Sequence, residues 1–278
     1  MSAREFLTSV TIIIATMMLA ALVELVLPLS TRTAAERGRS TANLGMTALT
    51  LAVNWALTSA AAIIALALSL QAPGPMARLG VPVAAQFVAG VVVLDFFFGY
   101  LAHRAMHLSP ALWRVHRVHH SDPFVDVTTT YRTHPLESLW RFLFVIVPVW
   151  ILGVPAEAFV IYRLVSAING ILEHANIRLW PRLDSALSLV WVTPNMHKVH
   201  HSRDRVETDS NYGNIFSIYD RLLRTFTPTD RAFTVVYGLD DADPDRAKSL
   251  PGLLSMPFQR VESGAREPAG ASAVQERA

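Results

Sequence analysis

Residues 91–120 read VVVLDFFFGYLAHRAMHLSPALWRVHRVHH. The stretch begins as the end of an apolar run and finishes as a chain of imidazoles. That change decides the fold, because residues able to lie in lipid deliver their successors to a polar layer rich in metal-binding side chains. The run behind it, Pro82 to Gly99, is near the roughly 20 residues a helix needs to cross a bilayer. Two longer runs precede it, Phe6 to Leu29 and Leu44 to Leu70. All three read as transmembrane helices. Arg4 before the first run resembles the start of a signal peptide, but that run is too long and no small-residue cleavage site follows it, so it reads as a span. Of the 278 residues, 52% are hydrophobic and 17% charged, a balance that suits one membrane domain with a polar layer.

The connections give the sidedness. Ser30 to Asn43 carries Arg32, Arg37 and Arg39, whereas Gln71 to Val81 carries only Arg78. The positive-inside rule therefore puts the first connection in the cytoplasm, and the third span delivers Ala102 and its successors to the same side. Arg104, Arg114, Arg117 and Arg132 agree with that placement. A fourth apolar stretch, Leu139 to Leu172, is broken by Gly153-Val154-Pro155 and must be a helical hairpin. Each arm has roughly 14 to 17 residues, short for a full crossing, and both ends return to the cytoplasmic face. From Asn176 to Phe258 the chain is mixed and polar, with an apolar run at Ala186 to Val192 that could lie in the interface beside Trp180 and Trp191. Arg260 to Ala278 reads as a disordered tail. The expected architecture is all-α: an integral, multi-pass membrane bundle of three spans plus a hairpin, with a cytoplasmic histidine-rich cap.

All ten histidines lie between His103 and His201. They form boxes: His103-x-x-x-His107, His116-x-x-His119-His120, His134-Pro135, His174, and His197-x-x-His200-His201. Spacings of three and four put side chains on one helix face, so each box can aim two or three rings at a common point. Two H-x-x-H-H triplets and one H-x-x-x-H supply eight nitrogens, too many for one ion. With no cysteine in the chain, thiolate sites, disulfides and cysteine nucleophiles are excluded. The inventory suits two ions of intermediate softness, iron being the natural redox-active choice. Asp95, Asp122, Glu137 and Glu173 are candidates to accept ring N–H hydrogen bonds behind the ligands. His134 and His174, each taken alone, read equally well as structural histidines. Glu24 and Asn54 in the early spans read as helix-packing polar groups. A net charge of +2 gives no reason to expect a nucleic-acid partner. Phosphate-binding glycine motifs, G-x-S-x-G, H-E-x-x-H and Glu-x-x-His are all missing.

Between Asp95 and Phe226 the sequence resembles the fatty acid hydroxylase / sterol desaturase superfamily of membrane non-haem di-iron enzymes. The resemblance rests on Asp95 and Tyr100 before His103-Arg104, Leu112-Trp113 before His116-Arg-Val-His119-His120-Ser121, and Arg132-Thr-His134-Pro135-Leu-Glu137. It continues through His174-Ala-Asn176, Thr193-Pro194 before His197-Lys-Val-His200-His201-Ser202, and Asn211-Tyr212-Gly213 before Asp220-Arg221. It implies that His103, His107, His116, His119, His120, His197, His200 and His201 bind the two irons, with His174 as a ninth ligand. It leaves His134, Asp95, Glu137 and Asn176 as further ligands or as partners of the ligand rings. Arg178 stands where relatives carry another histidine, and Tyr219-Asp220-Arg221-Leu-Leu-Arg224-Thr225 departs from their usual Trp-Asp-Arg-Leu-Phe-Gly-Thr. By this likeness residues 1–80 are N-terminal membrane helices, 81–258 the catalytic domain and 259–278 the tail. The implied activity is hydroxylation or desaturation of a lipid such as a fatty acyl chain, sterol or isoprenoid, with dioxygen as co-substrate. Electrons would arrive from a separate reductase system through a cytochrome b5 or ferredoxin. Two other readings stay open at this point: a zinc-dependent lipid hydrolase and a non-catalytic membrane metal-binding or transport protein.

Overall fold

Lipid-facing helices and a polar cap divide the molecule. The computed structural model describes residues 3–33, 38–71 and 74–259, so the expected tail, Arg260 to Ala278, lies outside the described residues. Helix α1 (Ala3–Val26) and helix α2 (Arg39–Gln71, about 50 Å long) follow the first two apolar runs. A short helix α3 (Pro75–Arg78) leads to α4 (Val83–Leu94), which continues through a π-helical segment, Asp95–Leu101, into α5 (Ala102–Leu108). The third crossing therefore does not end at Gly99 but carries on to His103 and His107. Gly99 is required there, since a Cβ would meet Asp95 Oδ1 at 2.7 Å and Asn214 Cβ at 3.0 Å.

Helix α6 (Pro110–His120) doubles back along the cap, and α7 (Pro135–Leu152) and α8 (Ala156–His174) form the hairpin. At its tip Gly153 takes φ +63°, and a Cβ on it would stand 2.5 Å from Gly74 Cα. The arms have 18 and 19 residues, longer than the apolar stretch alone indicates. The extra length is polar and buried: His134 caps α7 through its ring nitrogen, Pro135 starts it, and α8 runs on to His174. With that length α7 joins α1, α2 and the composite α4–α5 as a fourth helix long and apolar enough to cross a membrane. Leu19, Leu22 and Leu25 on α1 and Ile63, Leu66 and Leu70 on α2 are exposed, an apolar band that lipid would cover. Inside, Ala61 and Ala65 of α2 pack with Leu94, Val145, Val149, Ala158 and Phe159.

The cap is built from short helices, α9 (Pro181–Leu187), α10 (Pro194–His200), α11 (Arg205–Thr208), α12 (Ile218–Leu222) and α13 (Leu250–Ser255). Buried charge ties it to the bundle. Arg39 at the start of α2 pairs with Asp122 at 2.7 Å and with Asp126. Arg132 donates to the carbonyls of Val118 and Ala247, to Asn43 Oδ1 and to Ser121 Oγ. Glu24 does more than pack helices, because its carboxylate accepts the backbone N–H groups of Val127 and Asn176 and so clips the end of α1 to the cap. Trp180 is exposed, as an interfacial side chain would be, but Trp191 turns inward and donates to Asn169 Oδ1.

Candidate metal centre

Nine of the ten histidines converge. Helix α5 presents His103 and His107 one turn apart, α6 presents His116, His119 and His120, α8 ends on His174, and α10 with its C-cap supplies His197, His200 and His201. All nine are buried. They part into two groups, His103, His107, His116, His120 and His200 in one and His119, His174, His197 and His201 in the other. Within each group the nitrogens lie within 4.8 Å of one another. The division cuts through both H-x-x-H-H boxes, since successive helical residues point about 100° apart and cannot serve the same centre equally.

Hydrogen bonding fixes which nitrogen faces inward. His103 Nδ1 donates to the Tyr212 carbonyl at 2.8 Å, His200 Nδ1 to the Ser210 carbonyl at 2.7 Å, and His116 Nδ1 to Glu137 Oε2 at 2.9 Å. Carbonyl and carboxylate oxygens only accept, so each of these rings carries its proton on Nδ1 and a lone pair on Nε2. Those lone pairs face one another, His103 to His116 at 3.0 Å and His103 to His200 at 3.1 Å. Such an arrangement is repulsive unless a cation lies between. Nitrogens bound at about 2.1 Å and at right angles to each other stand about 3.0 Å apart, which matches. In the second group His174 Nδ1 donates to the Gly170 carbonyl, and its Nε2 lies 3.0 Å from those of His119 and His197 and 3.2 Å from that of His201. The donor set fits a metal ion in each group.

Burial keeps the rings ready for this. It is the largest influence pulling His119, His120, His197 and His201 far below the ordinary imidazole range, with neighbouring imidazoles adding to it. Burial likewise brings His200 down to about 4. Neutral rings are what a metal requires. The two groups differ in their support. All five rings of the five-histidine group meet an oxygen through Nδ1, His107 doing so on Asp209 at 3.1 Å and His120 on the Thr208 hydroxyl at 3.4 Å. In the four-histidine group only His174 is held this way, and the Nδ1 atoms of His119, His197 and His201 find no partner among the described residues.

The remaining candidates are placed unequally. Glu137 stands directly behind His116, and Glu173 lies 3.8 Å from both His174 and His197. Asp95 instead receives the backbone N–H groups of Ile215 and Phe216 and the Tyr162 hydroxyl, and Asp122 serves Arg39, Asn43 and Thr129. Asn176 is bonded to Ser30. His134 stands away from both groups, accepting from the Leu136 N–H and facing the Leu254 carbonyl. Sequence reasoning missed Asp209 and the carbonyls of Tyr212, Ser210 and Gly170. An acid on a loop more than ninety residues from His107 and three backbone oxygens carry no spacing signal.

The profile of the fatty acid hydroxylase family matches residues 87–225, half of the chain and the segment that carries all nine rings. The chain belongs to the fatty acid hydroxylase family. Among curated proteins, the chain is 34% identical over 179 residues to the ornithine lipid hydroxylase OlsE of Rhizobium tropici, 64% of this chain and 52% of that one. It is 30% identical over 147 residues to the alkylglycerol monooxygenase of Caenorhabditis elegans, 52% of this chain and 28% of that one. It is also 30% identical over 148 residues to the human alkylglycerol monooxygenase, 52% of this chain and 31% of that one. The match thus spans about half the length of the first of these relatives and less than a third of the other two. No solved structure matches it.

In this chain a cavity of about 200 Å³ opens from the histidines into the bundle. His103, His119, His174 and His197 form its polar end. Away from them it runs between the hairpin and the first two helices, past Leu51 and Trp55 of α2 to Ile13 and Phe6 of α1.

Proposed function

We propose that this protein is a membrane di-iron oxygenase that hydroxylates a lipid, with the nine clustered histidines as ligands of the two irons. The observation that carries the reading is the joint one: two groups of inward-facing imidazole lone pairs abut a cavity that descends among apolar helices. The relatives whose names specify lipid hydroxylation and alkylglycerol monooxygenation support a lipid substrate. A pair of irons supplies activation of dioxygen, with electrons delivered by a separate donor such as a cytochrome b5 or ferredoxin.

The chain's own residues do the rest. Tyr212, Ser210 and Gly170 through their carbonyls, and Glu137 and Asp209 through their carboxylates, hold the Nδ1 protons and so keep the Nε2 lone pairs pointed inward. Burial of all nine rings excludes bulk water from the reacting position. The apolar walls contributed by α1, α2 and α8 orient a lipid chain so that one of its carbons lies against His119, His174 and His197. The arginine-bearing connection before α2 supports a cytoplasmic position for the cap.

The test is to purify the protein in mild detergent and measure iron and zinc per chain, then supply lipids, dioxygen and a reductant and weigh the products. The proposal expects about two irons per chain and a product heavier by one oxygen atom. In His119→Ala the iron should fall below two per chain and the product should be lost. A product lighter by two hydrogens would make the enzyme a desaturase. Stoichiometric zinc that persists after anaerobic preparation with iron would overturn the oxygenase reading in favour of a hydrolase or a metal carrier.

A further inference from the structure

One face of α8 lines the cavity from end to end: Arg163, Ser166, Ala167, Gly170, and His174 at the metal layer. Arg163 precedes His174 by eleven residues, about 16 Å along the helix, so its backbone lies well below the histidines, among the lipid-facing helices, where Asn54 and Thr58 of α2 are its polar neighbours on the wall and neither carries a charge. An arginine at such a depth is costly unless something compensates it, which makes it a functional candidate. The other arginine of the cavity wall, Arg141, is compensated: it bonds Glu137 Oε1 at 3.0 Å and the Phe98 carbonyl at 3.0 Å. Arg163 has no hydrogen-bond or ion-pair partner among the described residues. Its guanidinium lies 4.3 Å from the centre of the Phe98 ring, and Arg141 lies over the same ring at 5.4 Å. The groups that face it electrostatically are Tyr162, Tyr131 and the like-charged Arg141, with no carboxylate. The buried hydroxyl of Tyr131, also on this wall, has no hydrogen-bond partner among the described residues.

We infer that Arg163, assisted by Arg141 and the Tyr131 hydroxyl, holds an acidic oxygen of the lipid, phosphate or carboxylate, inside the cavity beneath the metal centre. The inference rests on reading the cavity as the seat of a lipid substrate. A guanidinium presents a planar fork of donors that matches either oxyanion, and removal from water strengthens the contact. A neutral lipid would leave the positive charge of Arg163 uncompensated, so the cavity selects acids over their uncharged counterparts. The alternative, in which Arg163 serves only to stack on Phe98, gives no such selection.

The full chain in an uncharged detergent is offered two matched pairs of probes, a fatty acid against the alcohol of the same chain, and phosphatidic acid against the diacylglycerol of the same chains. Binding is read by native mass spectrometry, with metal content measured on the same samples. Wild type is expected to favour the acid by about tenfold or more in at least one pair, and which pair identifies carboxylate or phosphate. Arg163→Gln abolishes the preference without loss of metal, Arg163→Lys keeps part of it, and Tyr131→Phe weakens acid binding while leaving the neutral lipid untouched. Equal binding of acid and neutral lipid by wild type overturns the inference, as does a preference that survives in Arg163→Gln. Because no turnover is needed, acid-selective binding by a protein that oxidises nothing would sink the oxygenase reading and leave this one standing.

Discussion

Glu137 joins three things that would otherwise be independent. One carboxylate oxygen receives His116 Nδ1–H at 2.9 Å, the other receives Arg141 Nε–H at 3.0 Å, and the residue sits in the first turn of α7. Replacing it with Ala leaves His116 free to rotate or to change tautomer, so the five-histidine group should lose metal affinity by about 10- to 100-fold. The four-histidine group, which Glu137 does not touch, should keep its ion, so metal analysis should fall from about two ions per chain toward one. Asp95→Asn is the contrast: its carboxylate serves backbone N–H groups of the 215–216 loop and no ring, and the variant should retain both ions. Equal metal loss in the two variants would contradict this division. From the sequence the two carboxylates are indistinguishable candidates. Eight of the nine converging histidines were legible because two- and three-fold repeats of imidazole at helical spacing have few other uses, and His174 was legible only through the family resemblance. The roles of Asp95, Asn176 and His134 were not, since an acid, an amide or a lone imidazole near a site looks the same whether it supports a ring or caps a loop.

Elements matter here through where they stop. The Gly153-Val154-Pro155 break was readable as a hairpin tip because glycine and proline have distinct backbone preferences. The lengths of its arms were not, because hydropathy fades where α7 and α8 become polar and buried beside the metals, around Glu137, Ser138, Glu173 and His174. For the same reason the third crossing reads as finished at Gly99, although the π-helical segment carries it on into α5. The tip itself is tightly specified. Gly153 needs a left-handed backbone, and a side chain there would strike the backbone of Gly74. Gly153→Val should destabilise the fold by about 2 kcal/mol or more, combining left-handed strain with a steric clash. The measurement is thermal unfolding in detergent, where a clear fall in Tm is expected. An unchanged Tm would mean that the contact between the tip and the segment before α3 has no part in holding the hairpin.

At the scale of the whole molecule, stability and metal retention should share one pH dependence. His119, His120, His197, His200 and His201 are all held below the ordinary imidazole range by burial, His200 at about 4. In the unfolded chain such rings take up protons near pH 6.5. Below that pH the unfolded state binds protons that the folded state refuses, so stability is fully present above about 6.5 and is lost as pH falls toward 4. For His200 alone the loss at pH 5 is about 2 kcal/mol, from 1.5 pH units at about 1.36 kcal/mol each. Asp220 works in the opposite direction: burial raises it to about 6, so on its own it would make the protein less stable as pH rises between about 4 and 6. Glu173, likewise raised by burial, opposes the rings in the same sense, but His174 is lowered by burial as well, so the imidazoles outnumber these carboxyls and set the net slope. Metal adds to the same slope, because ligation requires the neutral ring and acid competes for the lone pair. Between pH 7 and pH 5 the Tm of the detergent-solubilised protein should therefore fall by many degrees and its metal should be released over the same interval. A Tm that stays flat to pH 5 with metal retained would show that the nine rings are not the groups that couple folding, protons and metal.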